Sequence, residues 1–253
     1  MPPPPATTDA AGADAPILVA TGIRKRFRRV VALDGVDLAL RSGEALALLG
    51  PNGAGKTSLL TILAGVSRAS AGSLTWRADV APRVGWVPQR PALYPRLTAR
   101  ENLRLFAAME GAADPAAAAQ RLLVRTDLVD FADRQAHELS TGTVQRLNLA
   151  IALAGEPSVL LLDEPTATLS PDQRRRLWDW LSALRRDEGL ALLFSTQSVE
   201  EAAREADRML VLANGRAVFD GDLNHLVGAD VNGGRPSVEA AEEAFLRLVG
   251  TPA

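Results

Sequence analysis

The segment Gly50-Pro51-Asn52-Gly53-Ala54-Gly55-Lys56-Thr57 narrows the fold more than any other stretch of the chain. It follows a continuous apolar run at residues 45–49 and opens a helical pattern at 56–64 that closes at Gly65. An unbroken apolar run of this kind reads as a strand buried on both faces, the habit of parallel sheets. The glycines let successive backbone N–H groups converge on phosphate oxygens, and the helix that follows adds partial positive charge at its N-terminus. Lys56 is then placed to reach the outer phosphates, and Thr57, with Ser58 beside it, to offer a hydroxyl to magnesium. Only Lys25 and Lys56 are lysines, every other cation being arginine, so the lysine at this loop stands out.

Further along, Val159-Leu160-Leu161-Leu162-Asp163-Glu164 is an apolar strand ending in adjacent carboxylates. Asp163 at a strand end can hold magnesium directly or through water. Glu164, one residue on, can polarise an attacking water. Between the two motifs lies Leu139-Ser140-Thr141-Gly142-Thr143-Val144-Gln145-Arg146, opening a helix with apolar positions at Val144, Leu147 and Ile151. A serine hydroxyl, a glycine and a helix N-terminus make a second anion-binding arrangement, the alternative being a plain helix-capping serine. One chain does not readily fold two such arrangements onto one phosphate. Two chains packed head to tail, each closing the other's nucleotide, is the economical solution.

At 253 residues the chain suits one large domain, or a core with an inserted subdomain. A net charge of −2 gives no footprint for nucleic acid. The absence of cysteine excludes disulfides, thiolate metal sites and thiol catalysis. No apolar stretch approaches the roughly 18–20 residues of a membrane span, and the Pro-rich start lacks the pattern of a secretion signal. The expectation is a cytoplasmic chain that meets a membrane only through a partner. Residues 1–16, rich in Pro, Ala, Thr and Asp, read as a disordered lead-in. Strand material is expected from residue 17, at 30–40, and in short pieces from 73 to 89. Residues 91–155 read as helical without strand signals, one helix opening on a capping box of Thr98 and Glu101. Strands return at 159–163 and 190–195 around a helix at 172–186. A hairpin on Asn214-Gly215 joins residues 209–212 to 216–219, and the tail after Asp222 is helical, ending at 238–249. The simplest account is an α/β core with a helical insertion.

With three motifs in this order, the chain resembles the ATP-binding subunit of an ABC transporter, from about residue 17 to 221. The resemblance implies a P-loop NTPase core of RecA-like kind with an antiparallel β subdomain and an inserted helical subdomain at about 90–155. It divides the chain into a disordered segment at 1–16, an ATPase domain at 17–222 and a helical tail at 223–253. ATP and Mg²⁺ are the implied ligands. Gly85-Trp86-Val87-Pro88-Gln89 resembles the family's glutamine loop, whose glutamine reaches the metal or water, and residues 93–103 resemble the permease-facing segment. Phe27 takes the place of the aromatic that stacks on adenine, a core aromatic being the other reading. The closest likeness is to the subgroup that pairs with small, separate permeases of the ABC-2 type. The tail from Ser237 to Leu248 resembles that subgroup's ending, though an amphipathic surface helix would look the same. The implied partners are an integral membrane permease and a second ATPase copy, as homodimer or heterodimer, with no nucleic acid. The implied location is the cytoplasmic face of the membrane.

Three positions depart from the family pattern. Thr141 stands where a glycine is usual, Ser170 where an aspartate precedes proline, and Gln197 where a histidine contacts the γ-phosphate. Ser170 with Pro171 still makes a sound helix start. Gln197 can donate a hydrogen bond but carries no charge near neutral pH. His137 and His225 are too far along the chain to substitute and are read as surface or packing residues. Near-normal ATP binding with slow hydrolysis is therefore expected, transport through a permease being the leading function and export the favoured direction. A low-turnover module within an asymmetric complex is the alternative. A soluble ABC protein acting on ribosomes or DNA fits less well, because such chains carry two nucleotide modules or a long coiled-coil insertion.

Overall fold

The computed structural model describes residues 15–77, 83–228 and 236–250. The lead-in expected at 1–16 falls, as far as residue 14, outside them. The described chain begins with β1 (Leu18–Phe27) and β2 (Val30–Leu40), then β3 (Ala45–Leu49), α1 (Lys56–Leu63), β4 (Ala71–Trp76) and β5 (Val84–Val87). Three helices follow, α2 (Ala99–Met109), α3 (Pro115–Arg125) and α4 (Thr141–Ala152), with two single 3₁₀ turns between α3 and α4. The remainder alternates: β6 (Val159–Asp163), α5 (Pro171–Glu188), β7 (Ala191–Thr196), α6 (Val199–Glu205), β8 (Arg208–Ala213) and β9 (Arg216–Gly221). Two helices, α7 (Leu223–Val227) and α8 (Val238–Val249), end it.

Two sheets result. One is antiparallel in the order β2-β1-β4, and the other runs β5-β6-β7-β3-β8-β9. In the larger sheet every neighbouring pair is parallel except β8 and β9, which form the hairpin. Asn214 (φ 49°) and Gly215 (φ 77°) both sit in the left-handed region, as a type I′ turn requires. The α/β class expected from the sequence is the one found, and the stretch from α2 to α4 is helical. At the end of α1, Gly65 (φ 72°) donates its N–H to Ile62 O at 3.0 Å and stops the helix.

The central strands explain their own unbroken apolarity. On β3, β6 and β7 alternate residues go to opposite faces, so both faces need apolar side chains. Ala45, Ala47 and Leu49 join Leu160, Leu162, Leu192 and Phe194 in the core beneath α2–α6 and α8. Leu46 and Leu48 join Val159, Leu161 and Leu193 in the core shared with β1, β2 and α1. On the first face Trp178 of α5 meets Phe194 edge-on, ring centres 4.6 Å apart. The tail helix α8 is docked rather than free, with Ala241 and Ala244 buried and Phe245 and Leu248 packed on the first core.

Phe194 is fully buried at the middle of this packing. Phe194→Ala should cost about 3–5 kcal/mol of stability, because the ring contacts go and a cavity remains. Phe194→Leu should lose clearly less. Urea unfolding of both variants checks this, a shift in midpoint at constant slope being the expected result.

Candidate active site

Because β5, β6, β7 and β3 are parallel neighbours, their C-terminal ends lie along one edge of the sheet. That edge gathers the loop at residues 50–57 after β3, Gln89 after β5, Asp163 and Glu164 at the end of β6, and Gln197 after β7. The register makes the gathering tight, since Asp163 stands opposite Ser195 and Leu49 opposite Thr196.

The loop's shape is dictated by close backbone approaches. A Cβ on Gly50 would stand 2.4 Å from Leu212 O, and one on Gly55 (φ 108°) 2.5 Å from Ala32 O. Only glycine meets both demands. Pro51, Asn52 and Gly53 are exposed at the tip, whereas Ala54 is buried and its carbonyl accepts from Gly215 N–H at 3.1 Å. Lys56 is almost wholly buried, and its Nζ turns back to Gly50 O at 2.7 Å and Pro51 O at 3.1 Å. Burial pushes its ammonium below the usual lysine range, while the carboxylates of Glu164 and Asp163 push it up. This cation is held by its own loop's carbonyls and poised for an anion.

Asp163 is buried and accepts Thr57 Oγ1 at 2.8 Å and Ser195 Oγ at 2.6 Å. Glu164 has φ 48°, a conformation that costs a non-glycine residue on the order of 1–3 kcal/mol. It is sustained by the Glu164 N–H donating to Ser195 Oγ at 2.9 Å. The twist turns the side chain outward, where Gln89 Nε2 donates to Oε2 at 2.9 Å and Gln197 Nε2 to Oε1 at 2.8 Å. Lys56 Nζ lies 4.0 Å from the same carboxylate. A base candidate thus stands between two neutral amides, with one cation beyond.

Two residues of this neighbourhood, Ser195 and Glu201, are given no role by the sequence reading. Ser195 receives Glu164 N–H and donates to Asp163, a role visible only once β6 and β7 are paired. Glu201 on α6 accepts Thr166 Oγ1 at 2.5 Å, Trp178 Nε1 at 3.1 Å and Thr196 Oγ1 at 2.5 Å. It ties the segment after Glu164, helix α5 and the residue before Gln197 to one carboxylate. Gln173 on α5, also without a role in the sequence reading, lies apart from this edge with its side chain against Gly142. The one sequence signal for Glu201 is its place three residues after Ser198, which caps α6.

The Ser140-Thr141-Gly142 segment is not part of this gathering. Ser140 caps α4, its Oγ accepting Thr143 N–H at 3.3 Å, and Ser140 and Thr141 are exposed. Among the described residues no hydrogen bond joins it to the loop at 50–57. Ser170 caps α5 as its spacing suggested. Phe27 is 51% exposed with Lys25 Nζ 4.9 Å from its ring centre, so the core-aromatic reading does not hold. His137 contacts Pro95 O and His225 contacts Asp222, both away from the sheet edge.

The residues present suit a Mg-nucleotide. The glycine cradle and the buried Lys56 suit phosphate oxygens, and the pair Thr57 Oγ1 and Asp163 Oδ2 are hard oxygen donors of the kind magnesium takes. Among the described residues no cluster of three or more metal-ligating side chains occurs.

Comparison with known proteins agrees with this geometry. A family profile described as ABC transporter matches residues 33–167. The chain is 38% identical over 232 residues to Nod factor export ATP-binding protein I of Ralstonia nicotianae, covering 85% of this chain and 71% of that one. It is also 38% identical over 235 residues to daunorubicin resistance ATP-binding protein DrrA3 of Streptomyces coeruleorubidus, covering 89% and 74%. Among solved structures it superposes on the ATP binding subunit of an ABC transporter with TM-score 0.78 at 26% identity, covering 92% of this chain and all of that one. A phosphate loop, a paired carboxylate and a separate serine-capped helix, on a chain that matches in sequence and in shape, place this protein in the ABC transporter family, among its ATP-binding subunits.

Proposed function

We propose that this chain binds ATP with Mg²⁺ and hydrolyses it slowly to drive export through a separate membrane permease. The relatives named for Nod factor export and daunorubicin resistance favour the export direction. One is named for Nod factor export and the other for daunorubicin resistance at the same identity, and in this reading the permease chooses the cargo. Among the described residues no helix is long and apolar enough to cross a membrane, which suits a subunit that works through a membrane partner.

The observation that carries the hydrolytic reading is Glu164, held outward between Gln89 and Gln197 at the mouth of the phosphate loop. In this reading Lys56 and the N–H groups of residues 50–57 hold the phosphates, with Ser58 completing the loop. Thr57 and Asp163 hold magnesium, Gln89 serves as a further metal or water contact, and Phe27 stacks on adenine. Bound magnesium neutralises charge on the phosphate oxygens. Glu164 takes the proton of the attacking water, and Gln197 and Gln89 aim its carboxylate through their amide N–H groups. Ser140, Thr141 and Gly142 of a second chain face the outer phosphate, because within one chain they lie apart from the loop. ATP then favours the paired state by contacts that exist only there. The second chain is another copy or a related ATPase.

Two variants test this. Glu164→Gln should keep ATP binding and lose hydrolysis by about 10²–10⁴-fold, the range of a positioned base. It should also remain paired in Mg-ATP, as sedimentation would report. Normal hydrolysis by this variant would remove Glu164 from the mechanism.

Gln197 donates to Glu164 without a charge of its own, whereas a protonated histidine would add a cation beside the outer phosphate. Gln197→His should therefore raise the ATPase rate of the intact transporter by about tenfold, close to 1.4 kcal/mol in the barrier. A rate no faster than wild type would mean that the amide is not limiting. The low-turnover reading draws on the same amide contact. It would gain if hydrolysis stayed negligible in both forms while ATP-dependent pairing persisted.

A further inference from the structure

Gly142 and Ser170 belong to different elements, the first turn of α4 and the cap of α5, yet one side chain touches both. Gln173 N–H donates to Ser170 Oγ at 3.4 Å, and Gln173 Oε1 accepts Ser170 N–H at 3.1 Å, a reciprocal capping box. The other end of the same amide lies over Gly142. A Cβ added there would stand 2.5 Å from Gln173 Nε2 and 2.9 Å from its Cδ. Space that the glycine leaves open is therefore filled from within the chain. Ser140, Gly142, Leu169 and Gln173 are among the residues that line a cavity of about 280 Å³ bounded by α4, α5 and the end of α3.

We infer that Gln173 is a positioning residue that sets the spacing between the Ser140–Gly142 turn and Ser170. The Ser140–Gly142 turn is the part proposed above to face a nucleotide held by a second copy, so the inference rests on that pairing. The choice of glutamine has a physical reason. Glutamate completes a capping box equally well, so the cap alone does not require an amide. At this place, however, the side-chain end faces the N-terminal turn of α4, whose partial positive charge and free N–H groups suit an anion. A neutral amide leaves that positive end available for a phosphate arriving from the other chain. A carboxylate would offset it and repel the phosphate.

The test uses the full chain carrying Glu164→Gln, so that hydrolysis does not disperse the pairs. Gln173→Glu and Gln173→Ala are each added to it. Three quantities are read: the melting temperature, binding of a fluorescent ATP analogue to the dilute monomer, and the ATP concentration that half-saturates pairing in sedimentation. Gln173→Glu should keep the melting temperature and monomer binding of the parent, because the cap is retained and the phosphate loop is elsewhere. It should need about tenfold more ATP to pair, the scale of a charge set against a helix terminus. Gln173→Ala should lose the spacing and the Oε1 half of the capping box, Ser170 Oγ still accepting the N–H of residue 173, so it should weaken pairing and lower the melting temperature modestly.

If Gln173→Glu pairs at the parent's ATP concentration, the need for a neutral amide falls, and if Gln173→Ala does so too, the positioning role is wrong while the pairing stands. If Gln173→Glu loses melting temperature and pairing together, as the alanine variant does, Gln173 is only a cap and the inference is overturned. If the Glu164→Gln parent itself stays monomeric in Mg-ATP, the pairing fails and this inference falls with it.

Discussion

The carboxylate of Asp163 is the joint on which the sheet edge depends. One oxygen accepts the Thr57 hydroxyl from α1 and the other accepts the Ser195 hydroxyl from β7. A buried carboxylate without such partners would be costly, so each hydroxyl is held where it is by the charge it satisfies. Ser195 in turn receives the N–H of Glu164, which supports that residue's left-handed backbone and turns its side chain outward. Loop, magnesium-ligand candidates and base candidate thus depend on one another through two hydroxyls.

A second carboxylate does similar work one layer back. Glu201 gathers donors from three elements and lies beneath the two segments that carry Glu164 and Gln197. Movement of α6 would be felt at Thr196 and Thr166 together. The aligned strand ends supply the stage, and these two acids fix what stands on it. The amides of Gln89 and Gln197 then meet Glu164 from opposite sides without adding charge.

What the sequence made legible is local in origin. The phosphate loop announces itself because its glycines, its lysine and the strand before it are contiguous. The caps at Thr98, Ser140 and Ser170 are each decided within one turn of helix. The hairpin at Asn214-Gly215 follows from two residues that tolerate positive φ. The roles of Ser195, Glu201 and Gln173 were hidden because they depend on which strands and helices become neighbours. Ser195 matters only because β7 lies beside β6, although a whole helix separates them in sequence. Phe27 could be read as stacking on adenine or as a core aromatic, because an aromatic near a strand end looks the same in either role until the neighbouring sheet is placed.

The hairpin turn bears on the phosphate loop in a further way. Gly215 donates its N–H to Ala54 O and accepts Asp34 N–H, so it clamps the loop between the antiparallel sheet and the far side of the parallel one. A glycine-rich loop left alone would sample many shapes and lose that freedom on gripping an anion. Here a distant turn has already removed much of the freedom, so the cradle is stiff before any guest arrives and spends little of the contact energy on becoming ordered.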